Sequence, residues 1–522
     1  MYFLFPVWWL SILWISRHLW FPGNEKLTKT SKLYINPLFE GTVLGESIML
    51  NRNRYDQPRG SDSDLTSDLS IVNDDGNIES IVKKMRTDTT PFVYICATMW
   101  HENRTEMLQM MKSVFRLDRD QAARRNVQLI GVTDPDYYEF EANIFFDNAM
   151  NNHDDPDLDY TANDYVILLV EVVREAAKGV HDVSTRLDDP TKYPTPYGGR
   201  LEWTLPGENK LVVHLKDSAK IRHKKRWSQV MYMYYFLGYR LCCDETLTED
   251  RKMTRSNHTF LLSLDGDVDF EPMALIFLID LMKREEKVGA VCGRIHPIGS
   301  GPLVWFQEFE YAIGHWLQKA TEHVMGCILC TPGCFSLFRG SAIMDENVMR
   351  SYTMLAVDPL QHLQYDQGED NWLCTLLLQQ GYKVEYCAAS DSYTYCPEGL
   401  TEFFNQRKRW MPSKMTNMLD LLRSWKHTTY INENISFMYL FYQAAIQVAS
   451  LLSPGIVFMV TVGALNISVQ SFSQSFNVWG MAALNALPII LFVVVCMKFP
   501  TNIQVILRFR IFKFYIACPN NF

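Results

Sequence analysis

Two aspartates that flank a glycine form the first segment of the sequence that could perform chemistry. Asp265 and Asp267 follow directly after the apolar residues 260–264, with Gly266 between them. Two carboxylates at the end of a strand can hold a divalent cation through oxygen ligands, and the cation can in turn hold a diphosphate. An Asp-Gly pair is also typical of an ordinary turn. The segment alone therefore leaves a metal site and a turn open.

A second acidic segment stands at the start of a predicted helix. Glu369 and Asp370, preceded by Asp366, come just before the helical pattern of residues 373–380. Carboxylates at a helix N-terminus can cap its unpaired N–H groups, whereas a carboxylate that faces a sugar hydroxyl can act as a general base. The two roles are compatible, because Asp366 could cap the helix while Asp370 points into a site.

A third segment combines cations with aromatic and amide side chains ahead of a long apolar run. Gln406, Arg409 and Trp410 belong to a basic string that precedes residues 437–462. A basic cluster beside a membrane segment can simply contact lipid headgroups. Gln and Trp add something that lipid binding does not need, because they complete an arginine fork for phosphate with an aromatic face for a sugar ring.

The elements that must position these residues follow from the hydrophobic pattern after residue 90. Short β-branched runs alternate there with longer helical stretches, which predicts an α/β fold with a mostly parallel sheet. Ligands of such sheets bind beyond the carboxyl ends of the strands, where Asp265 and Asp267 stand. The predicted strands are residues 92–97, 127–132, 165–172, 211–215, 260–264 and 288–292.

Uncharged apolar runs near both ends of the chain predict membrane helices. Residues 437–462 and 478–497 contain no charged side chain, and each is long enough to cross a hydrocarbon core that needs about 20 residues. Lys and Arg residues precede the first run and follow the second, whereas residues 463–477 contain none. The positive-inside rule therefore places this connector outside and the large domain in the cytosol.

These runs predict the organisation of the whole chain. It comprises a partial transmembrane helix (1–20), a connector with an acidic linker (21–90), a cytosolic α/β domain (91–413), a juxtamembrane interfacial segment (414–436), a transmembrane helix (437–462), an external connector (463–477), a second transmembrane helix (478–497) and a truncated or uncertain tail (498–522). The half-apolar tail suits neither a spanning helix nor a solvated end, which suggests a fragment of a longer membrane protein.

Composition excludes two broad classes. Of the 522 residues 48% are hydrophobic, which is enough to bury a sizeable core and excludes global disorder. The balance of 50 Lys and Arg against 59 Asp and Glu gives a net charge of -9. Such a chain does not suit a protein whose main task is to neutralise nucleic-acid phosphates, so no nucleic-acid partner is expected.

Several strings together resemble one known family. The chain contains, in this order, "ICATMWHEN", "RHKKRWSQVMYMYY", "SLDGDVDF", "QEFEY", "CTPGCFS", "GEDNW" and "QRKRW". In this register they closely resemble the chitin synthases of invertebrate animals, which are processive membrane glycosyltransferases of family 2. The resemblance covers residues 91–413 and the flanking helices, and it implies a GT-A-like, Rossmann-type catalytic domain in the cytosol.

The resemblance also implies a binding site for the donor, UDP-N-acetylglucosamine. Glu102 would lie near the uracil, and the two aspartates would address Mg2+ or Mn2+ and the diphosphate. The residues implied for the donor are Glu102, Lys216, Arg226, Trp227, Asp265, Gln307, Glu310 and Tyr311, and those implied for the metal are Asp265 and Asp267.

Catalysis and acceptor binding are implied in the same way. Asp370, beside Glu369, would be the general base that deprotonates the acceptor 4-hydroxyl for inverting attack on the anomeric carbon. Cys330, Pro332 and Gly333 match a loop beside the acceptor, while Gln406, Arg409 and Trp410 would bind the diphosphate and stack the chain terminus.

The predicted function is therefore a chitin synthase that couples synthesis to membrane export. Its expected partners are the donor, the growing chitin chain and the lipid bilayer of the plasma membrane, and assembly into a homo-oligomer is left open. Asn371 stands where the family normally has Arg after the acidic pair. The alternatives are a hyaluronan- or cellulose-type synthase and a catalytically impaired membrane subunit.

Overall fold

The structure is a computed structural model, and it describes residues 88–131, 134–151, 161–181 and 187–472. These residues divide into two compact units, one that ends at Leu440 and one that begins at Phe441. The predicted segments 1–20, 478–497 and 498–522 lie outside the described residues, as does the acidic linker before residue 88.

The first unit is built on one ten-stranded sheet with the order β3-β4-β5-β2-β1-β6-β9-β8-β10-β7. Its strands are β1 (Phe92–Met99), β2 (Glu139–Phe146), β3 (Thr191–Thr195), β4 (Gly198–Thr204), β5 (Lys210–Lys216), β6 (Thr259–Asp265), β7 (Asp269–Phe270), β8 (Val288–Ile298), β9 (Phe335–Arg339) and β10 (Lys383–Tyr395).

The sheet is mixed rather than uniformly parallel. Strands β5, β2, β1 and β6 lie side by side and run parallel. Strand β9 is antiparallel to its neighbours β6 and β8, and β10 is parallel to β8. The predicted parallel direction is thus confirmed for the main strands, but β9 interrupts the pairing, and hairpin strands β3 and β4 and the short β7 add antiparallel pairs at the edges. Because β6, β8 and β10 run in one direction, their carboxyl ends share one edge.

Helices connect the strands and cover the sheet. They are α1 (Arg104–Leu129), α2 (Asp164–Val180), α3 (Lys225–Met233), α4 (Glu249–His258), α5 (Pro272–Arg284), α6 (Pro302–Ala312), α7 (Ala320–Met325), α8 (Gly340–Ile343), α9 (Glu346–Tyr352), α10 (Pro359–Gln361), α11 (Glu369–Gln379), α12 (Leu400–Arg423), α13 (Trp425–Ile431) and α14 (Phe437–Phe472). Helices α3, α6 and α10 continue into the π-helical segments Tyr234–Cys242, Ile313–Lys319 and His362–Asp366.

One face of the sheet packs on α1, α2 and α5. Alternate residues of the strands, such as Ile95, Phe140 and Leu262, are buried in a single apolar cluster with residues of these helices. The opposite face carries α3, where the Tyr232 hydroxyl contacts Ser263 of β6 at 3.4 Å. Alternation along each strand thus fills both faces, and the burial of apolar area is the main stabilising contribution.

The predicted strand at residues 165–172 is wrong, because these residues belong to α2. Its buried residues recur at helical spacing and are Val166, Leu169, Val172, Val173, Ala176 and Ala177. The Asn163 side chain accepts a hydrogen bond from Val166 N and caps the helix. A short apolar run does not distinguish a strand from a buried helix, and the cap decides here.

The predicted strand at residues 127–132 is also wrong over its described part. Residues 127–129 complete α1, and Val127, Leu129 and Ile130 are exposed. They have no sheet neighbour to cover them, and the next strand begins only at Glu139. The other four predicted strands, in β1, β5, β6 and β8, are confirmed.

Every described residue of the second unit belongs to α14. This helix carries no acidic or basic residue and extends to Phe472, past the predicted end at residue 462. Among the described residues, no helix combines the length and the apolarity that a membrane span requires. The predicted transmembrane role of residues 437–462 therefore stays a prediction.

Candidate active site

The two strand-end aspartates lie together at the edge defined by β6. Asp265 is the last residue of β6, and Thr394 Oγ1 of β10 donates a 2.9 Å hydrogen bond to Asp267 Oδ2. A side chain on Gly266 would place its Cβ 2.9 Å from the carboxyl carbon of Glu102. Only glycine therefore lets Glu102 approach the turn this closely.

The electrostatics of this turn concentrate negative charge. Burial, together with the neighbouring carboxylates Asp267 and Asp265, raises the pKa of Glu102 to about 7. Burial and Asp265 likewise raise the pKa of Asp267 to about 6. Crowded, buried carboxylates of this kind fit a divalent cation, because hard oxygen donors are the ligands that Mg2+ and Mn2+ prefer. No cluster of three or more His, Cys, Asp or Glu side chains with metal-site geometry occurs in the described part of the chain.

The second acidic pair begins α11 and faces the same edge. Glu369 and Asp370 occupy the first turn of the helix. Gln229 Nε2 of α3 lies 3.4 Å from Asp370 Oδ1. Gly333 lies so close that a Cβ there would overlap the Asp370 carboxylate. The loop before β9 therefore forms one wall around the predicted general base.

Lys225, the first residue of α3, joins the two acidic pairs. Its Nζ lies 2.6 Å from Asp265 Oδ1, 3.8 Å from Asp370 Oδ2 and 3.9 Å from Glu369 Oε1. Burial opposes its charge, but Asp265, Asp370 and Glu369 together hold the pKa of Lys225 well above its ordinary value. One ammonium group thus lies within 4 Å of three carboxyl groups at the centre of the site.

The carboxyl groups of α11 are tuned towards proton transfer. Burial and the adjacent Asp370 raise the pKa of Glu369 to about 7. Burial also raises the pKa of Asp370, against the opposing charge of Lys225. A carboxylate with a raised pKa that a nearby cation keeps ionised is suited to accept a proton from a hydroxyl.

The predicted acceptor loop is held against α11 by contacts between Thr331 and Cys374. Thr331 N and Oγ1 lie 3.3 and 3.1 Å from Cys374 Sγ, one helical turn after Asp370. The carbonyl of Pro332 accepts a hydrogen bond from Ser336 Oγ, and Cys330 Sγ lies 3.2 Å from the Thr331 carbonyl oxygen. The structure thus places Cys330, Pro332 and Gly333 beside the predicted base.

The predicted donor-side basic residues are engaged with protein groups. Lys216 Nζ binds the Asp147 carboxylate and lies 2.7 Å from Ser228 Oγ. Arg226 is buried and donates to Asp366 Oδ1 at 2.8 Å. Their roles in donor binding stay predictions.

Trp227 lies under a cation at the start of α3. The guanidinium of Arg222 stands 4.7 Å from its ring centroid, and that of Arg226 stands 5.2 Å from it. Arg226 also donates to the Tyr352 carbonyl at 3.2 Å. The basic motif therefore fixes the start of α3, and with it Lys225.

Helices α6 and α12 bring two predicted motifs together. Arg407 of α12 makes a bidentate pair with Glu310 of α6, with N···O distances of 2.8 and 2.6 Å. Gln307 is buried and donates to the Pro397 carbonyl at 2.8 Å. Burial raises the pKa of Tyr311, whose ring stacks on His315 with the centroids 6.1 Å apart. Glu310 is therefore held by a protein cation, and its predicted contact with the donor stays a prediction.

The remaining motif residues lie along α12. Arg409 is exposed, and its charge lowers the pKa values of Glu369 and Asp370 against the dominant effect of burial. Trp410 lies under Arg407, whose guanidinium is 5.2 Å from the ring centroid. The Oε1 atom of Gln406 is buried and has no hydrogen-bond partner among the described residues.

The structure brings together a subset of the predicted site residues and adds some that the sequence interpretation missed. The residues brought together are Glu102, Asp265, Asp267, Gly333, Glu369 and Asp370. Lys225, Gln229, Thr394 and Arg407 contact the predicted site residues. A signal was present for two of them, because Lys225 and Gln229 stand four residues apart in the basic string and so share a helix face. Thr394 contacts Asp267 only through sheet pairing, which no local pattern reveals.

Comparisons with known proteins agree with this arrangement. Residues 223–518 match the chitin synthase family model. The chain is 47% identical over 96% of its length to "Chitin synthase chs-2" of Caenorhabditis elegans, 43% identical over 97% to "Chitin synthase" of Meloidogyne artiellia, and 42% identical over 94% to "Chitin synthase chs-1" of Caenorhabditis elegans. It spans about a third of these relatives, namely 31%, 30% and 36% of their lengths.

A mixed α/β sheet whose strand-end aspartates face an acidic helix start fits the GT-A-like class of glycosyltransferase folds. Within that class the family match and the relatives are specific. The chain belongs to the chitin synthase family.

Proposed function

We propose that the protein is a chitin synthase. It transfers N-acetylglucosamine from UDP-N-acetylglucosamine to the 4-hydroxyl of a growing β-1,4-linked chain, with inversion at the anomeric carbon. The observation that carries the proposal is the contact of Lys225 with both Asp265 and Asp370. Through this contact, the residue proposed to hold the diphosphate and the residue proposed to act as the base lie next to the same lysine.

The donor side of the proposal uses the carboxylates after β6 and the cations around them. Asp265 and Asp267 would hold Mg2+ or Mn2+, with diphosphate oxygens and water as the further ligands. When bound, such a cation stabilises the charge that develops on the departing diphosphate. Lys225, whose Nζ lies 2.6 Å from Asp265 Oδ1, and the exposed Arg409 would add positive charge to stabilise the diphosphate.

The acceptor side uses Asp370. Its carboxylate removes the proton of the attacking 4-hydroxyl, while Gln229 and Gly333 fix its position. The loop of residues 330–334 limits where the acceptor ring can lie, and Trp410 offers a stacking face near Arg407. Attack from the side opposite the leaving diphosphate gives inversion.

We further propose that the protein acts at the plasma membrane as a multi-pass protein with its catalytic unit in the cytosol. The uncharged runs of residues 437–462 and 478–497 support this location, as does the distribution of Lys and Arg around them. A cytosolic site has direct access to nucleotide sugars, and adjacent helices would couple chain growth to export.

The decisive experiment measures radiolabelled N-acetylglucosamine incorporation from UDP-N-acetylglucosamine into polymer by membranes that carry the protein. We expect a product that chitinase digests and that hyaluronidase and cellulase leave intact, with at least a hundredfold less product from Asp370→Asn membranes. A hyaluronidase- or cellulase-sensitive product would support the related synthases instead. Donor binding without any polymer would indicate an impaired subunit.

A further inference from the structure

A cavity of about 440 Å³ lies beside the proposed active site. Its lining includes the side chains of Arg294, His296, Tyr311, His315, Trp316 and Tyr393. Its volume lies within the range of small-molecule sites, and its wall combines several aromatic rings with a few polar groups.

The cavity opens at the same edge of the sheet as Asp265 but two strands away. Its floor is the paired ends of β8 and β10, where Arg294 stands opposite Asp391 and His296 opposite Tyr393. Its roof is the end of α6 and the π-helical segment Ile313–Lys319. Asp265, Asp267 and Asp370 do not line it. The cavity is thus a neighbour of the proposed catalytic centre, and among the predicted donor residues only Tyr311 lines it.

The guanidinium of the cavity wall is already paired with a carboxylate, which argues against an anionic ligand. Arg294 binds Asp391 through two contacts of 2.7 and 3.3 Å. His296 Nε2 lies 3.0 Å from the same carboxylate. Glu308 adds a further carboxylate to the lining. A phosphate or diphosphate would find the guanidinium already neutralised and a carboxylate nearby.

The aromatic rings give the wall flat apolar faces. The Arg294 guanidinium lies 4.5 Å from the Trp316 ring centroid, and His296 stacks on Tyr393 with centroids 5.1 Å apart. These contacts fix the rings in place. Rings held rigidly beside polar groups favour a ligand with one apolar face and polar edges, which is the character of a pyranose.

A buried histidine presents a ring nitrogen that lacks a hydrogen-bond partner among the described residues. His315 lines the cavity, is 5% exposed, and its Nδ1 atom has no hydrogen-bond partner among the described residues. Burial lowers the pKa of His315 well below its ordinary value, so the ring is neutral. A hydroxyl can donate or accept, and so satisfies this atom in either tautomer.

We propose that this cavity binds a neutral saccharide ring of the acceptor type, as found in short β-1,4-linked N-acetylglucosamine oligosaccharides, outside the donor site. The inference rests on the proposed function for its choice of sugar. Binding in this cavity can be measured without turnover, so the proposed function and the proposed saccharide site can be disproved separately.

The test is photo-crosslinking of the full chain in membranes with a diazirine derivative of chitobiose, mapped by mass spectrometry. We expect crosslinks in residues 294–299 and 311–316 that unlabelled chitotriose displaces and UDP-N-acetylglucosamine does not. Displacement by the nucleotide sugar would make the cavity part of the donor site and overturn the proposal. Crosslinks confined to Gly333 and Trp410 would overturn it as well.

Two matched substitutions on the roof sharpen the test. Ala312 lines the cavity and is exposed, and Ile313, its neighbour, is exposed but does not line it. Ala312→Trp should fill the cavity and reduce crosslinking at these residues at least tenfold, whereas Ile313→Trp should leave it unchanged. Equal labelling of the two variants would contradict the proposal.

A third variant tests the polar contact itself. His315→Phe keeps an aromatic ring but removes both ring nitrogens, and we expect about tenfold weaker competition by chitotriose with an unchanged unfolding temperature. Unchanged competition would contradict the role of His315. Crosslinking in the cavity without polymer synthesis would sink the proposed function alone, and polymer synthesis without crosslinking there would sink this inference alone.

Discussion

At the scale of single residues the site depends on how Asp370 is kept both basic and ionised. Burial raises its pKa, and Lys225 at 3.8 Å opposes that effect. Asp370→Asn keeps the shape and removes the proton acceptor, so transfer should fall by about 10²- to 10⁴-fold, the usual contribution of a general base. UDP-N-acetylglucosamine binding, measured by isothermal titration, should be retained.

Glu402→Gln is the matched control for this prediction. Glu402 is an exposed carboxylate in the first turn of α12 and should be neutral in both assays. If Asp370→Asn lost donor binding in proportion to turnover, the carboxylate would be holding the site together rather than accepting a proton.

Asn371 gives a second residue-scale prediction. Its side chain is half-buried, and it makes no hydrogen bond with any residue that the structure describes. Arg at this position, as the family resemblance expects, could add a charge-assisted hydrogen bond of about 1.5–3 kcal/mol. Asn371→Arg should then raise turnover by roughly one to two orders of magnitude.

A thermal unfolding curve of Asn371→Arg, measured together with its turnover rate, distinguishes faster catalysis from a destabilised fold. The substitution removes no described hydrogen bond of the Asn371 side chain, so the unfolding temperature should not fall. A lower unfolding temperature without faster turnover would mean that the pocket has repacked around the smaller amide and buries an unpaired guanidinium.

At the scale of elements the close approach of the acceptor loop to α11 is the most sensitive feature. A Cβ on Gly333 would overlap the Asp370 carboxylate, and the loop is held by Thr331 and Cys374. Gly333→Ala must therefore displace Asp370 or the loop. We expect at least a hundredfold loss of turnover, and a stability loss of about 1–3 kcal/mol as for other overpacked sites.

Gly314→Ala is the control, because it makes the same glycine-to-alanine change at another position. Nothing lies within 4 Å of a Cβ at Gly314, which is in the π-helical segment after α6. This variant should unfold at the same or a slightly higher temperature and keep its activity. A Gly333→Ala protein with normal turnover would show that the loop yields freely and does not position the base.

The link between α6 and α12 yields a second prediction for elements. The bidentate pair of Glu310 and Arg407 joins the motif that the sequence analysis assigned to donor binding with the motif that it assigned to the diphosphate and the chain terminus. If Glu310 acts by holding Arg407, then Glu310→Arg and Arg407→Glu should each raise the KM for the donor. The double swap should recover most of the loss.

This charge swap also tests the direct role of Glu310. If Glu310 touched the donor sugar itself, the double variant would stay as impaired as the single ones, because the carboxylate would be on the wrong helix. The coupling free energy from the double-mutant cycle separates these cases. Both residues are partly exposed, so we expect about 1 kcal/mol of coupling or less.

At the scale of the whole molecule the sequence predicts local chemistry better than it predicts pairing. The aspartates after β6 and the acidic start of α11 were identified because each is a local pattern. The insertion of β9 between β6 and β8 depends on contacts between distant segments. Residues 165–172 were misassigned for a different, local reason, since an apolar run fits a strand and a buried helix equally well.

The last prediction concerns the orientation of the chain in a membrane. Cys242 and Cys243 are exposed free thiols of the first unit, which the proposed topology places in the cytosol. Ser475, in the predicted external connector of residues 463–477, can be replaced by cysteine. A membrane-impermeant maleimide should label Ser475→Cys in intact cells and reach the native pair only after permeabilisation. The native protein, treated in parallel, reports the background at Cys242 and Cys243. Labelling of Ser475→Cys only after permeabilisation would reverse the orientation, because the charges that flank both apolar runs would then lie outside.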